Sequence, residues 1–230
     1  MNLLTAENTK IKKSIKHGYL TFILHLAPAK LSGYEVCPKR TEGCTAGCLN
    51  TAGHGGMFKP GHTTNHVQEA RIRRTRMFFE NRELFLQLLT QDIVRAKRTA
   101  DRLKLTLAIR LNGTSDIPWE KYNIIQQFPD VQFYDYTKIR NRKVKDLANY
   151  HLTFSKSDGN DNDVRLELKK NTNVAVVFFK QLPDTYMGKR VVSGDETDLR
   201  FLDEKNVVIG LLAKGRAKKD TSGFVVRDVA

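Results

Sequence analysis

No stretch of this chain is apolar for the roughly 18 residues that crossing a bilayer takes. The first residues, Met1 to Lys16, lack the apolar core and small-residue site of a secretory signal. No strongly amphipathic helix with large aromatics on its apolar face stands out, which weighs against a membrane-surface role. We therefore expect no membrane partner and a cytoplasmic protein. Internal repeats, low-complexity tracts and linkers are also missing, so residues 1–230 read as a single α/β domain. Cysteine is scarce and odd in number: three residues, all between positions 37 and 48. A disulfide framework wants even numbers spread along the chain. Clustered cysteines in a cytosolic chain point instead to metal ligation or redox work.

Acidic residues are outnumbered, 25 against 39 Lys and Arg, for a net charge of +14. Such a balance favours polyanionic partners, because neutralising phosphates releases counterions. We take nucleic acid, DNA first, as the expected partner, with plain solubility as the alternative. At 40% hydrophobic and 28% charged, the composition is that of a globular protein.

The first strand is Tyr19–Leu26, apolar enough to be covered on both faces. A Cys- and Gly-rich loop follows at about 28–64, too long for a mere connection. Two helices come next, about Asn65–Phe79 and, with Asn81 as its N-cap, onward to about Leu103. Strands Leu105–Leu111, Val131–Tyr136, Tyr150–Phe154, Val174–Phe179 and Val207–Leu212 then alternate with helices near Pro118, Arg140–Leu147 and Asp163–Lys170. Alternation of this kind predicts a parallel sheet of about six βα units. The expected architecture is a partial or complete TIM-like barrel, with a doubly wound open sheet as the alternative. Both place their chemistry at the C-terminal strand ends.

Cys37, Cys44 and Cys48 follow the first strand with the spacing C-x6-C-x3-C. Soft thiolates select zinc or an iron–sulfur cluster. Three ligands leave one position open, as a catalytic site needs. We expect a [4Fe-4S] cluster; zinc is the alternative, with His54 completing a tetrahedral set. Gly43 and Gly47 would let the backbone fold tightly around the centre.

The second strand ends at Asn112-Gly113-Thr114-Ser115-Asp116. Asp116 is the candidate acid, or else an N-cap. Lys138 after the third strand is a candidate anion ligand, or else an ion-pair partner of Asp135. Ser155 after the fourth can bond a ribose hydroxyl or phosphate. Asp116, Lys138 and Ser155 form the expected catalytic set. Asn112, Gly113, Ser115 and Lys214, the last in a Lys-Gly-Arg loop beyond the final strand, form the expected cofactor set. Arg71 and Arg74 on one helix and Arg98 on the next are the expected phosphate-tracking face.

Three stretches carry a resemblance: Cys37-Pro38 through Cys48-Leu49-Asn50-Thr51-Ala52-Gly53, Arg110 through Asp116, and Tyr134-Asp135-Tyr136-Thr137-Lys138. With them the chain resembles the bacteriophage "gene product 88"-like proteins over most of its length. That likeness implies a bacterial host cell as its location and by itself no activity. A looser resemblance is to radical S-adenosylmethionine enzymes, which also place three cysteines after the first strand of a six-unit partial barrel. Their usual spacing is C-x3-C-x2-C, and they carry Gly-Gly-Glu-Pro where this chain has Gly113-Thr114-Ser115-Asp116. S-adenosylmethionine as a cofactor stays open on that basis. A third likeness is to phage DNA transglycosylases similar to tRNA-guanine transglycosylases, which implies zinc and Asp116 as nucleophile.

Three functions follow as expectations: an iron–sulfur enzyme modifying nucleic acid, a zinc-containing base-exchange enzyme, or a non-catalytic protein that binds nucleic acid or a host protein.

Overall fold

The computed structural model describes residues 2–6, 13–57 and 62–227, without the side chain of His54. Runs of Val, Ile, Leu and Phe make the central strands: β2 (Tyr19–Leu24), β3 (Thr106–Arg110), β4 (Gln132–Thr137), β5 (Tyr150–Ser155), β6 (Val174–Phe178) and β9 (Val208–Leu212). These six lie side by side in chain order, all parallel. Four shorter strands complete a ten-stranded sheet. β1 (Leu4–Ala6) runs antiparallel on the outer edge of β2. β8 (Lys189–Ser193) lies parallel beside β9 and carries the hairpin strand β7 (Thr185–Tyr186). β10 (Val225–Val226) pairs with the C-terminal half of β6.

The parallel order never reverses, as in a barrel, but the sheet is not closed. β1 occupies the edge of β2 that closure would need, and β1 and β7 do not pair among the described residues.

Helix formation follows the caps. Asn65 accepts from the Val67 and Gln68 amides to start α2 (His66–Glu80), which follows the short α1 (Glu42–Ala46) of the cysteine loop. Asn81 closes α2 with its own amide and opens α3 (Arg82–Leu103) by accepting from the Leu84 amide. The residue after α3, Lys104, is left-handed at φ 55, which ends the helix. Asp161 and Asp163 in the first turn of α4 (Asp161–Lys169) suit the positive end of its dipole.

Two expected helices do not form. The one near Pro118 is a single 3-10 turn, Trp119–Tyr122, stopped by left-handed Asn123 at φ 55. Residues 140–147 are turns, broken at left-handed Asn141.

Side chains alternate across the sheet with period two. Phe133, Ile109 and Leu107 pack with Phe78, Phe85, Leu89 and Ile93 of α2 and α3. Tyr134 and Ala108 point to the other face, where Leu199 and Phe201 cover them. Burying each large apolar side chain contributes about 1.5–3 kcal/mol. The 3-10 turn Arg200–Leu202 lies on this second face, so the C-terminal strand ends are left open above it.

Candidate functional site

At those strand ends is a cavity of about 240 Å³. Cys37, Cys44, Cys48, Asp116 and Lys138 line it, and so do Asn112, Gly113, Ser115, Ser155 and Lys214. Residues far apart in sequence thus meet in one place, as parallel strands require. The same three cysteines also bound a second cavity of about 290 Å³ with Ala29 and Asn50. The sulfurs stand between the two.

The cysteine loop is held from outside. Thr41 caps α1 by accepting from the Cys44 amide at 3.3 Å. Asp158, just beyond β5, accepts from the Gly43 amide at 3.0 Å, the Cys44 amide at 3.2 Å, and the hydroxyls of Thr41 and Ser157. Burial raises the Asp158 pKa, but these donors outweigh it and hold it below the usual carboxylate value.

Gly43 and Gly47 serve close approach, not a special backbone angle. A Cβ on Gly43 would lie 1.8 Å from Ser222 Oγ and 2.9 Å from Phe224 Cβ; one on Gly47 would lie 3.1 Å from the Phe224 ring. Ser222 Oγ can rotate away, but Phe224 Cβ is fixed by its backbone and cannot. We expect Gly43→Ala to cost about 1–3 kcal/mol, read by urea denaturation. A cost within the ordinary surface range of about 0.5 kcal/mol would mean that the loop is not docked there.

All three cysteines are free. The Cys37 thiol donates to Thr114 O at 3.8 Å. The Ala29 amide favours a charged Cys37 and the Asn50 amide a charged Cys48, but burial outweighs both. Ala29 adopts φ 51, a left-handed conformation that a non-glycine residue keeps only when its surroundings impose it. Burial pushes the Cys37 thiol up to about 12 and raises Cys48 as well. Burial also works against the charge of Lys138, but the Cys44 sulfur and then Asp116 hold its pKa above the ordinary lysine value. Asp116 accepts from the Lys138 amide, and Asp135 bonds instead to Asn112 and Tyr150. Among the described residues no group of three His, Cys, Asp or Glu side chains is set to hold a metal ion. The His54 side chain lies outside the described residues.

Asp116 is not an N-cap. Its Oδ1 accepts from Thr137 Oγ1 at 2.7 Å and its Oδ2 from the Lys138 amide at 2.8 Å, tying the loop after β3 to the end of β4. Burial raises its pKa against these donors. The Asn112 side chain is spent on the protein: Oδ1 accepts from Ser115 Oγ, the Ile117 amide and Trp119 Nε1, while Nδ2 donates to Ile117 O and Asp135. Asn112 and Ser115 line the pocket, and the Asn112 side chain braces the loop after β3. A Cβ on Gly113 would meet His25 and Ile23, both at 2.7 Å, so this glycine admits β2's end and not a ligand. Lys214 pairs with Asp195. Ser155 lines the cavity, and its carbonyl accepts from Asn160.

The expected phosphate face does not form as one surface. Arg71 turns inward to Asn50 Oδ1 at 2.6 Å, and Arg74, half-buried, donates to Asn2 O. Only Arg98 is exposed. Burial, then Arg71, Arg110 and Arg74, push His25 down to about 3, so it stays neutral.

Sequence reasoning missed five participants. Lys156, 6% exposed, donates to Gly223 O at 3.0 Å and pins the segment after β9 across the pocket. Asp158 reads in sequence as ordinary Asp-Gly turn chemistry. The pocket floor is a buried ion pair, Arg110 to Asp198 at 3.0 Å, with the Arg110 guanidinium over the Tyr136 ring. Phe224 opens the short apolar run Phe224-Val225-Val226, too brief to mark a site in the sequence.

The model of the family described as Gene product 88 matches residues 2–228. No curated protein and no solved structure matches the chain.

Proposed function

We propose that this chain, which belongs to the gene product 88 family, is an enzyme that carries an iron–sulfur cluster on Cys37, Cys44 and Cys48 and acts on nucleic acid. The observation that carries the metal reading is that Cys37, Cys44 and Cys48, all on one loop, line a single cavity together with Lys138. Soft thiolates are the ligands that zinc and iron–sulfur centres take, and three of them leave one coordination position for the substrate or for a cofactor such as S-adenosylmethionine. That position supplies Lewis-acid or electron-transfer chemistry when the centre is bound.

The chain's own residues do the rest. Lys138 offsets negative charge at Cys44. Asp116, fixed by Thr137 and the Lys138 amide, presents a carboxyl to the same cavity. Leu49, Leu212 and Phe224 give the cavity an apolar side. The +14 charge supports a polyanionic substrate.

Anaerobic reconstitution with iron and sulfide is expected to load about four irons per chain, with a broad visible absorption. Each of Cys37→Ala, Cys44→Ala and Cys48→Ala should lose most of that iron while the far-ultraviolet circular dichroism stays unchanged. A colourless protein with one zinc and no iron would overturn the cluster and favour the base-exchange reading with Asp116 as nucleophile.

A further inference from the structure

The cations around the pocket fall into two sets. Those that line it are answered by acids. Arg110 pairs with Asp198 at 3.0 Å, Arg40 with Glu35 at 2.9 Å, Lys156 with Asp161 at 3.4 Å, Lys214 with Asp195, and Lys138 lies against Asp116 and Cys44. A chain of phosphates has no surplus charge to meet there.

The rim is different. Directly after Lys214 the chain makes a 3-10 turn, Gly215–Lys219. Ala217 is its one buried residue, packed near Ala213 and Val225, and it anchors the turn. Arg216, Lys218 and Lys219 are exposed and make no ion pair among the described residues. The nearest acid in sequence, Asp220, is already engaged by Ser222 and the Val225 amide. Three like charges on five residues repel one another unless an anion lies across them.

The turn is also well placed. Lys214 and Ala217 line the pocket, and a Cβ on Gly215 would lie 3.5 Å from Ala52, which ends the 3-10 turn that begins just after Cys48. The rim therefore borders the same cavity as the three cysteines.

We propose that the turn Gly215–Lys219 is the phosphate-backbone contact of a single nucleic-acid strand, one nucleotide of which hangs into the pocket. This rests on the nucleic-acid part of the reading above and adds its docking surface and strandedness. A cavity of about 240 Å³ suits one base and not a duplex. Its paired charges and its apolar wall of Leu49, Leu212 and Phe224 suit a neutral, flat group. An enzyme working on a base takes it out of the stack, at a cost that is least in a single strand.

The test is salt-dependent binding of a labelled DNA oligonucleotide, single-stranded and as a duplex, with the RNA of the same sequence to decide the sugar. The combined variant Arg216→Ala, Lys218→Ala, Lys219→Ala should flatten the slope of log K against log salt by about two for a single strand, at roughly 0.7 per contact. Arg102→Ala with Lys104→Ala, exposed at the end of α3, should leave it unchanged. The wild type should bind the single strand more tightly than the duplex. An unchanged slope in the rim variant, equal loss in the α3 variant, or preference for duplex overturns the proposal while nucleic-acid binding itself stands. No binding by the wild type at low salt overturns both. Iron content measured on the same preparations tests the metal reading separately.

Discussion

Asn112→Leu is expected to lower the unfolding free energy by about 3–5 kcal/mol, although the substitution keeps the side chain's branching and number of heavy atoms. The reason is accounting of donors. Asn112, 2% exposed, accepts from three groups through one oxygen: Ser115 Oγ at 2.8 Å, the Ile117 amide at 2.9 Å and Trp119 Nε1 at 3.1 Å. Ser115 can turn to another acceptor, but the Ile117 amide and the Trp119 indole are fixed by the fold. Each donor left buried without a partner costs about 1–3 kcal/mol. The amide's own donations to Ile117 O and Asp135 are lost as well. Trp119 is the only tryptophan in the chain and is fully buried, so its fluorescence reports on the change directly. Urea denaturation followed by that signal should show a lower midpoint and a shifted native emission. A loss under about 1 kcal/mol, the net worth of an ordinary hydrogen bond, would show that Asn112 is not the hub of this loop.

The second large effect is a fall in stability between about pH 4 and pH 7, and its source is Asp135. Burial pushes this carboxyl up to about 7, against the donors Asn112 and Tyr150 and the charges of Arg110 and Arg142. The sign follows from the direction. The unfolded chain releases this proton near pH 4, whereas the folded protein keeps it to about 7. The stabilising contribution is therefore full below pH 4 and is lost as pH rises through 7. At full burial the change is on the order of 4 kcal/mol, at about 1.36 kcal/mol per unit. Asp116 and Asp203, also raised by burial, add in the same direction. Asp158 and Asp220, held low by their hydrogen bonds, act at the acid end instead. Comparing wild type with Asp135→Asn isolates the one group. The variant's stability should vary less between pH 5 and pH 7.5, and parallel curves for the two proteins would remove Asp135 as the source.

The parallel strands were legible because buried strands need unbroken apolar runs, and Tyr19–Leu24, Val174–Phe178 and Val208–Leu212 have them. Both long helices were legible through Asn65 and Asn81, whose side chains do cap them. The small strands were not. Leu4–Ala6 is too short to show a period, and Lys189–Ser193 buries none of its residues fully. The Val144 and Leu147 spacing mimics a helical stripe, but it serves two consecutive turns. In the pocket, residue types at strand ends were a sound guide to location: ten of the residues expected to act there line one cavity. They were a poor guide to role. Asn112 looks like a ligand and works as a brace, since nothing in the sequence shows which partners a side chain will meet across a sheet. The misplaced arginines fail for the same reason: Arg71 and Arg74 lie on the buried side of α2, and helical spacing alone does not say which side that is.

The last wall of the pocket has a consequence in time. Ser222 and Phe224, which press on Gly43 and Gly47, are made about 180 residues after Cys44. At 5–20 residues per second, the cysteine loop waits roughly ten to forty seconds on the ribosome before anything covers it. During that interval its thiols are open to oxidants and to stray metals. Once residues 222–226 dock beside β6, the loop is held against them while its half-exposed cysteines still face the cavity, so a centre can be loaded before or after the chain is complete.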